Sequence, residues 1–268
     1  MSNLKILFND RNIYVKSRFI PLLLDLYLGA GVAFSLQKLK STTVNVIKVR
    51  RTLNNLEQDF TAEQITNGTL TTFCGSGNGF VTTIYDQVGS NDYIQTLGSR
   101  QGILVNNGVL NTLNGKPIIL RSVDNDGGYL STYPPNGTGK SLFYVGSNGL
   151  RSSCIFGSNT GGGDYGYLAQ SGSTSTIVNN FPVISSQKIN GSTAVYSTRG
   201  DFYNLTTNQI LLSTNINFNF QDNSLSIGYR FNNVSSFGMF SFQEMIVWNN
   251  QSDTVAKENN INNRYNIY

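Results

Sequence analysis

Along this chain apolar and polar residues alternate in short runs. Val44 to Arg51 sets Val, Ile and Val against Lys and Arg, the period-two pattern of a strand with one buried face. Phe80 to Tyr85 repeats it. The same pattern predicts strands at Val32 to Leu39, Ile118 to Arg121, Ser141 to Gly146, Tyr165 to Gln170, Phe181 to Lys188, Thr193 to Ser197, Asn208 to Ser213, Ser224 to Tyr229 and Phe240 to Trp248. Turn signals fall between them: Asn107-Gly108, Asn114-Gly115, Asp126-Gly127, Asn136-Gly137, Asn148-Gly149 and Asn190-Gly191. Asn and Gly accept the positive φ that tight hairpin turns need. Many short strands with such punctuation predict an all-β antiparallel sandwich or barrel.

Helical signals are confined to the two ends. Phe19 to Leu28 fits one short helix or an extended segment, with Pro21 suited to a first turn. In the tail from Asp253 to Tyr268, Lys257, Asn260, Ile261 and Arg264 fall at helical spacing. Residues 1–18 are polar with short apolar patches and read as an arm or edge strand. Residues 19–268 then form one domain, a length ordinary for a single all-β unit.

Composition sharpens this picture. Charged residues make up 13% of the chain, about half the usual share, and Asn, Gly, Ser and Thr take the polar positions instead. The net charge is +4, with its densest basic cluster at Lys38, Lys40, Lys48, Arg50 and Arg51. No aromatic platform interleaves that cluster, so it reads as a solvated sheet edge and not as a nucleic-acid site. The chain has no histidine. That removes Ser-His-Asp and Cys-His nucleophiles and histidine-ligated zinc, and leaves carboxylates as the means of any hydrolysis. The two cysteines, Cys74 and Cys154, read as buried free thiols or as one disulfide. The first residues carry no sustained apolar run or cleavage site of a signal peptide, and no segment is long enough to span a membrane.

Two motifs fail on inspection. Gly139-Lys140-Ser141 suggests a phosphate loop, but the first glycine of that motif would fall on Pro134, and Leu142 to Val145 reads as a strand. Asp124-Asn125-Asp126-Gly127 resembles the start of a calcium loop, but positions six and twelve are Tyr129 and Pro135. A hairpin fits better, and one calcium on Asp carboxylates and carbonyls stays open; no other cofactor or metal is expected.

Val49-Arg50-Arg51, Gln58-Asp59-Phe60, Phe73-Cys74 and Ile84-Tyr85-Asp86-Gln87-Val88-Gly89 follow one another, with Asn91-Asp92 and Gln95 after them. This series resembles the catalytic domain of α-L-arabinofuranosidase B, glycoside hydrolase family 54, over roughly residues 30–96. The resemblance implies a concanavalin A-like, or laminin-G-like, β-sandwich of jelly-roll type, with Arg50, Arg51, Tyr85, Asp86 and Gln87 as fold markers. The catalytic half departs from the family. Its vicinal cysteines match Cys154-Ile155, its nucleophilic Glu falls on Gly166 after Asp164-Tyr165, and its acid/base falls in Gly228 to Asn233, which holds no carboxylate. If the chain is nevertheless an enzyme, Asp164 and Glu244 are the carboxylates to consider, with Asp201 a further partner for Asp164. Glu244 sits inside an apolar strand and reads more readily as a paired buried carboxylate. Asp86 reads as the cap of the turn from Gln87 to Asn91.

Phe19 to Tyr27 running into Gly31 to Leu36, and the ending Asn260 to Tyr268, are similar to bacteriophage virion proteins that carry this same sandwich, found in phages of Bacteroidetes. That resemblance implies a virion structural or adhesion protein, anchored to other virion proteins through its N-terminal arm and present as a homo-oligomer or in many copies. A cell-surface glycan is the expected ligand, with Tyr129, Tyr133, Tyr165, Tyr167 and Tyr229 available to stack on sugar rings. An active arabinofuranosidase and a ligand-free scaffold are the alternatives.

Overall fold

The computed structural model describes residues 4–8, 11–15, 21–121, 128–133, 137–147, 152–160, 163–175, 184–218, 225–228 and 240–268. An N-terminal hairpin of β1 (Leu4–Phe8) and β2 (Arg11–Val15) forms a two-stranded sheet of its own. Then come α1 (Leu23–Leu26), β3 (Ala30–Ser35), β4 (Ile47–Arg51), β5 (Glu57–Phe60), α2 (Ala62–Thr66), α3 (Thr69–Cys74) and β6 (Gly79–Ile84). The middle holds β7 (Tyr93–Ile94), β8 (Ile103–Asn106), β9 (Val109–Leu110), β10 (Thr112–Leu113), β11 (Lys116–Pro117), β12 (Ile119–Arg121) and β13 (Tyr129–Ser131). The second half holds β14 (Gly137–Gly146), β15 (Ser152–Thr160), β16 (Gly163–Gln170), β17 (Ile184–Ile189), β18 (Ser192–Thr193), α4 (Arg199–Leu205), β19 (Ile210–Phe218), β20 (Leu225–Ile227), β21 (Phe240–Trp248) and α5 (Thr254–Tyr265).

Antiparallel pairing arranges these strands in two layers. The back sheet runs β18-β17-β19-β14-β21-β3. The front sheet runs β5-β4-β6-β7-β13-β20-β15-β16. β8 and β12 join them, because β8 pairs with β6 and β12, and β12 pairs with β21. The fold is thus an all-β antiparallel sandwich.

One core fills the space between the layers, with Phe34, Val49, Val81, Tyr93, Tyr144, Leu212, Phe242 and Met245 among its members. A second core lies on the outer face of the back sheet. There Leu23 and Leu24 of α1 and Ile261 and Tyr265 of α5 cover Ala33, Phe143, Val145, Leu211, Ile246 and Trp248. β21 is therefore buried on both faces, which is why it reads as a continuous apolar run. Burying one such large side chain contributes about 2–3 kcal/mol. In α5 the buried residues Lys257, Glu258, Ile261 and Tyr265 form one stripe.

Three Asn-Gly pairs each close a hairpin: Asn107-Gly108 between β8 and β9, Asn114-Gly115 between β10 and β11, and Asn190-Gly191 between β17 and β18. All six residues have positive φ, between 49° and 79°. Asp126-Gly127 and Asn148-Gly149 lie outside the described residues, as does Asn136. The expected strand from Thr193 to Ser197 shortens to Ser192–Thr193, because the chain turns into α4.

Candidate functional site

The Tyr85-Asp86-Gln87 motif follows β6 and ties the two layers together. Asp86 is buried, and its carboxylate accepts four backbone N–H groups. Oδ1 takes those of Ala33 (3.0 Å) and Val88 (2.9 Å); Oδ2 takes those of Gly89 (3.1 Å) and Asn91 (3.3 Å). Gln87 is also buried; it accepts from Leu39 N at 2.7 Å and donates to the carbonyls of Ser35 and Gln37. Tyr85 donates its hydroxyl to Asp59 at 2.7 Å; burial, then Asp59 itself, pushes its pKa up. Asp92 accepts the Asp86 N–H, and burial with the nearby Asp86 charge raises its pKa.

Arg50 and Arg51 hold the other end of this region. Arg50 reaches Gln101 Oε1 through Nε (3.1 Å) and Nη2 (3.0 Å), and its guanidinium lies 5.3 Å from the Phe80 ring centre. Arg51 donates to Phe73 O at 2.8 Å and stacks over the Phe73 ring at 4.8 Å. Beside it Cys74 is a free buried thiol, raised to about 11 by burial, which Arg51 partly offsets.

Glu244 and Asp164 belong to strands of different sheets, β21 and β16. Glu244 points to the outer face of the back sheet, under α5. Its Oε1 meets Arg264 Nη2 at 2.6 Å, and its Oε2 meets Arg264 Nη1 at 2.8 Å, Ser35 Oγ at 2.7 Å and Tyr265 OH at 3.2 Å. Asp164 belongs to β16 in the front sheet. Glu258, also buried, accepts from Ser213 Oγ at 3.2 Å and lies 3.6 Å from Lys188 Nζ. Asp201 closes the capping box of α4 with Thr198, which lowers its pKa.

The expected tyrosine platform also changes. Tyr129 is fully buried and presents no surface to a ligand. Its hydroxyl donates to Val81 O at 2.7 Å and accepts from Gly102 N at 3.0 Å, and its ring packs edge-on against Phe240. Tyr165 and Tyr167 belong to β16, and their side chains lie outside the described ones. Tyr229 and Asp124-Asn125-Asp126-Gly127 lie outside the described residues. Among the described residues no three His, Cys, Asp or Glu side chains cluster as a metal would need.

The outward face of the front sheet is open toward β5, β7 and β13. A single register row crosses it: Asp59, Lys48, Thr83, Ile94, Leu130, Ser226, Gly157, Gly166. Ile94 is 50% exposed and Leu130 37%. At its far end the row reaches Ser226 and Gly157, which are buried.

No protein-family model and no curated protein matches the sequence. Solved structures do match. An arabinofuranosidase complexed with arabinofuranosyl-alpha-1,2-xylobiose aligns with a TM-score of 0.54 and 14% identity, over 89% of this chain and 64% of that one. What is shared is the fold. A mutant glycoside hydrolase family 54 α-L-arabinofuranosidase soaked with 4-nitrophenyl α-L-arabinofuranoside, and such an enzyme soaked with a cyclic sulfate inhibitor, each align at 0.49 and 16% identity, over 87% of this chain and 62% of theirs. This chain therefore spans under two thirds of the length of these neighbours.

The sequence pointed to the right turn cap in Asp86 and to a paired Glu244, without its partner Arg264. It passed over Lys140, seen only as part of a failed phosphate loop. Lys140 proves to be buried against Tyr133.

Proposed function

We propose that this chain is a non-catalytic, glycan-binding sandwich that serves as a structural or adhesion protein of a bacteriophage virion. The observation that carries the loss of catalysis is the use of its acidic side chains. Asp86 and Glu244 are spent on backbone amides and on Arg264, and the position aligned with a nucleophile is Gly166. The glycan reading rests on the exposed part of the front-sheet face around Ile94 and Leu130. The virion reading rests on the resemblance of residues 19–36 and 260–268. In it the β1–β2 hairpin is the attachment segment and several copies assemble together. No cofactor is required, and calcium at Asp124 to Gly127 is an optional addition.

The second reading, an arabinofuranosidase, draws on the fold likeness and on the place of Asp164 beside Gly166. One experiment separates the two: incubation with 4-nitrophenyl α-L-arabinofuranoside alongside a glycan array. The expected result is binding of cell-surface glycans with no nitrophenol released. Release that an Asp164→Asn change abolishes would overturn the proposal. An empty array for a protein still incorporated into particles would reduce it to a scaffold.

A further inference from the structure

Lys140 lies in the first half of the long central strand β14, on the side that carries Leu142 and Tyr144, both core residues. Its side chain therefore enters the end of the sandwich interior, and the residue is only 7% exposed. Nζ donates to Tyr133 OH at 3.1 Å and lies 5.1 Å from the centre of the Tyr133 ring. Tyr133 in turn donates its proton to Asn249 Oδ1 at 2.9 Å. Burial, and then the Asp86 charge, push the Tyr133 pKa up to about 12, so toward Lys140 it is a neutral acceptor. β3 makes room for this hydroxyl with Gly31, where a Cβ would lie 2.2 Å from it.

An ammonium has three N–H donors. Lys140 uses one, and among the described residues no carboxylate pairs with it. Lys257 is the control. It is also buried, yet its Nζ is held by Asn250 Oδ1, Ser252 O and the face of Trp248. A buried charge with vacant donors is unfavourable until it loses its proton or gains a counter-ion. Burial lowers the Lys140 pKa in keeping with this.

We infer that Lys140 is an oxyanion-binding residue, taking one oxygen of a carboxylate or sulfate on a ligand that enters beside Tyr133 and the exposed Asn249. A lone ammonium suits a single oxygen; a guanidinium would be the choice for two-point recognition. The acidic sugar as natural ligand rests on the glycan reading above, whereas the anion site does not.

The test compares sodium glucuronate, sodium sulfate and neutral glucose at constant ionic strength, by calorimetry and thermal unfolding. Wild-type protein should bind one or both oxyanions and gain Tm, with no response to glucose; which salt acts separates the carboxylate from the sulfate source. Lys140→Met should bind about tenfold more weakly or worse. It should also melt higher than wild type without ligand, because an unpaired buried charge is gone. Should that variant not fold, a shift of the Lys140 side-chain nitrogen resonance in the wild type on adding oxyanion supplies the same answer. No oxyanion response in the wild type, or equal binding by Lys140→Met, overturns the inference. Neutral glycans bound without oxyanions would sink this site and leave the glycan reading standing; oxyanions bound with an empty glycan array would do the reverse.

Discussion

Arg264, in the last turn of α5, grips Glu244 of β21 through both guanidinium nitrogens, at 2.6 and 2.8 Å. Burial alone would lower the Arg264 pKa, and the Glu244 charge more than restores it. The pair fastens the C-terminal helix to the back sheet. Arg264→Ala leaves a buried carboxylate without its cation and should cost about 3 kcal/mol, toward the low end of the usual range because the Arg264 side chain is 20% exposed. Urea unfolding of Arg264→Ala, Glu244→Ala and the double variant should show clear non-additivity. Additive losses would mean that the two residues act separately.

Asp86 offers a sharper test of structure against catalysis. Each carboxylate oxygen accepts two backbone N–H groups. Asp86→Asn must turn an NH₂ donor toward two other donors, so it should cost about as much as Asp86→Ala, roughly 2–4 kcal/mol. Denaturation midpoints of the two variants check this. If Asp86→Asn kept full stability, the turn-capping account would be wrong.

How far the sequence revealed these features depended on how local their causes were. Asn107-Gly108, Asn114-Gly115 and Asn190-Gly191 were readable because positive φ is a property of the residues themselves. β21 was readable because both its faces are buried. α2 went unread although Thr61 and Gln64 form a capping box, and α3 because its Thr-rich sequence is poor in helix formers. Tyr129 was misjudged because β13 pairs with β7 and β20, far away in sequence, and only that pairing decides which face its ring takes. The same holds for Lys140, whose isolation depends on Tyr133 and Asn249.

The Asn-Gly hairpins predict an order of damage. Gly115 has φ +70° and open space where a methyl group would stand, so Gly115→Ala should cost only the backbone strain, about 1–2 kcal/mol. Gly108 has φ +79° and would also place its methyl 2.6 Å from Gly75 O, a backbone atom that cannot swing aside. Gly108→Ala should therefore be clearly the worse of the two by thermal unfolding. Equal losses would show that the turn between β8 and β9 moves freely against the end of α3.

Alkaline pH should unfold this protein through its tyrosines. Burial raises Tyr129, Tyr133 and Tyr265, and Tyr133 and Tyr268 are each pushed up from 10.0 to about 12. A tyrosine with a raised pKa keeps its proton in the folded state while the unfolded chain has lost it, so stability falls as pH rises from 10 toward 12. Cys74, raised from 9.0 to about 11, acts in the same direction and begins earlier. Lys140 and Lys257 act in the opposite direction, because burial lowers them from 10.5 and the unfolded state binds the extra proton. Their influence ends once lysine is deprotonated in both states, above about pH 10.5. Urea midpoints should therefore change little near pH 10 and drop steeply by pH 11.5. The tyrosinate absorbance should rise in step with unfolding for these buried rings. A midpoint that stays level to pH 11.5 would contradict the buried, hydrogen-bonded states of Tyr129, Tyr133 and Tyr265.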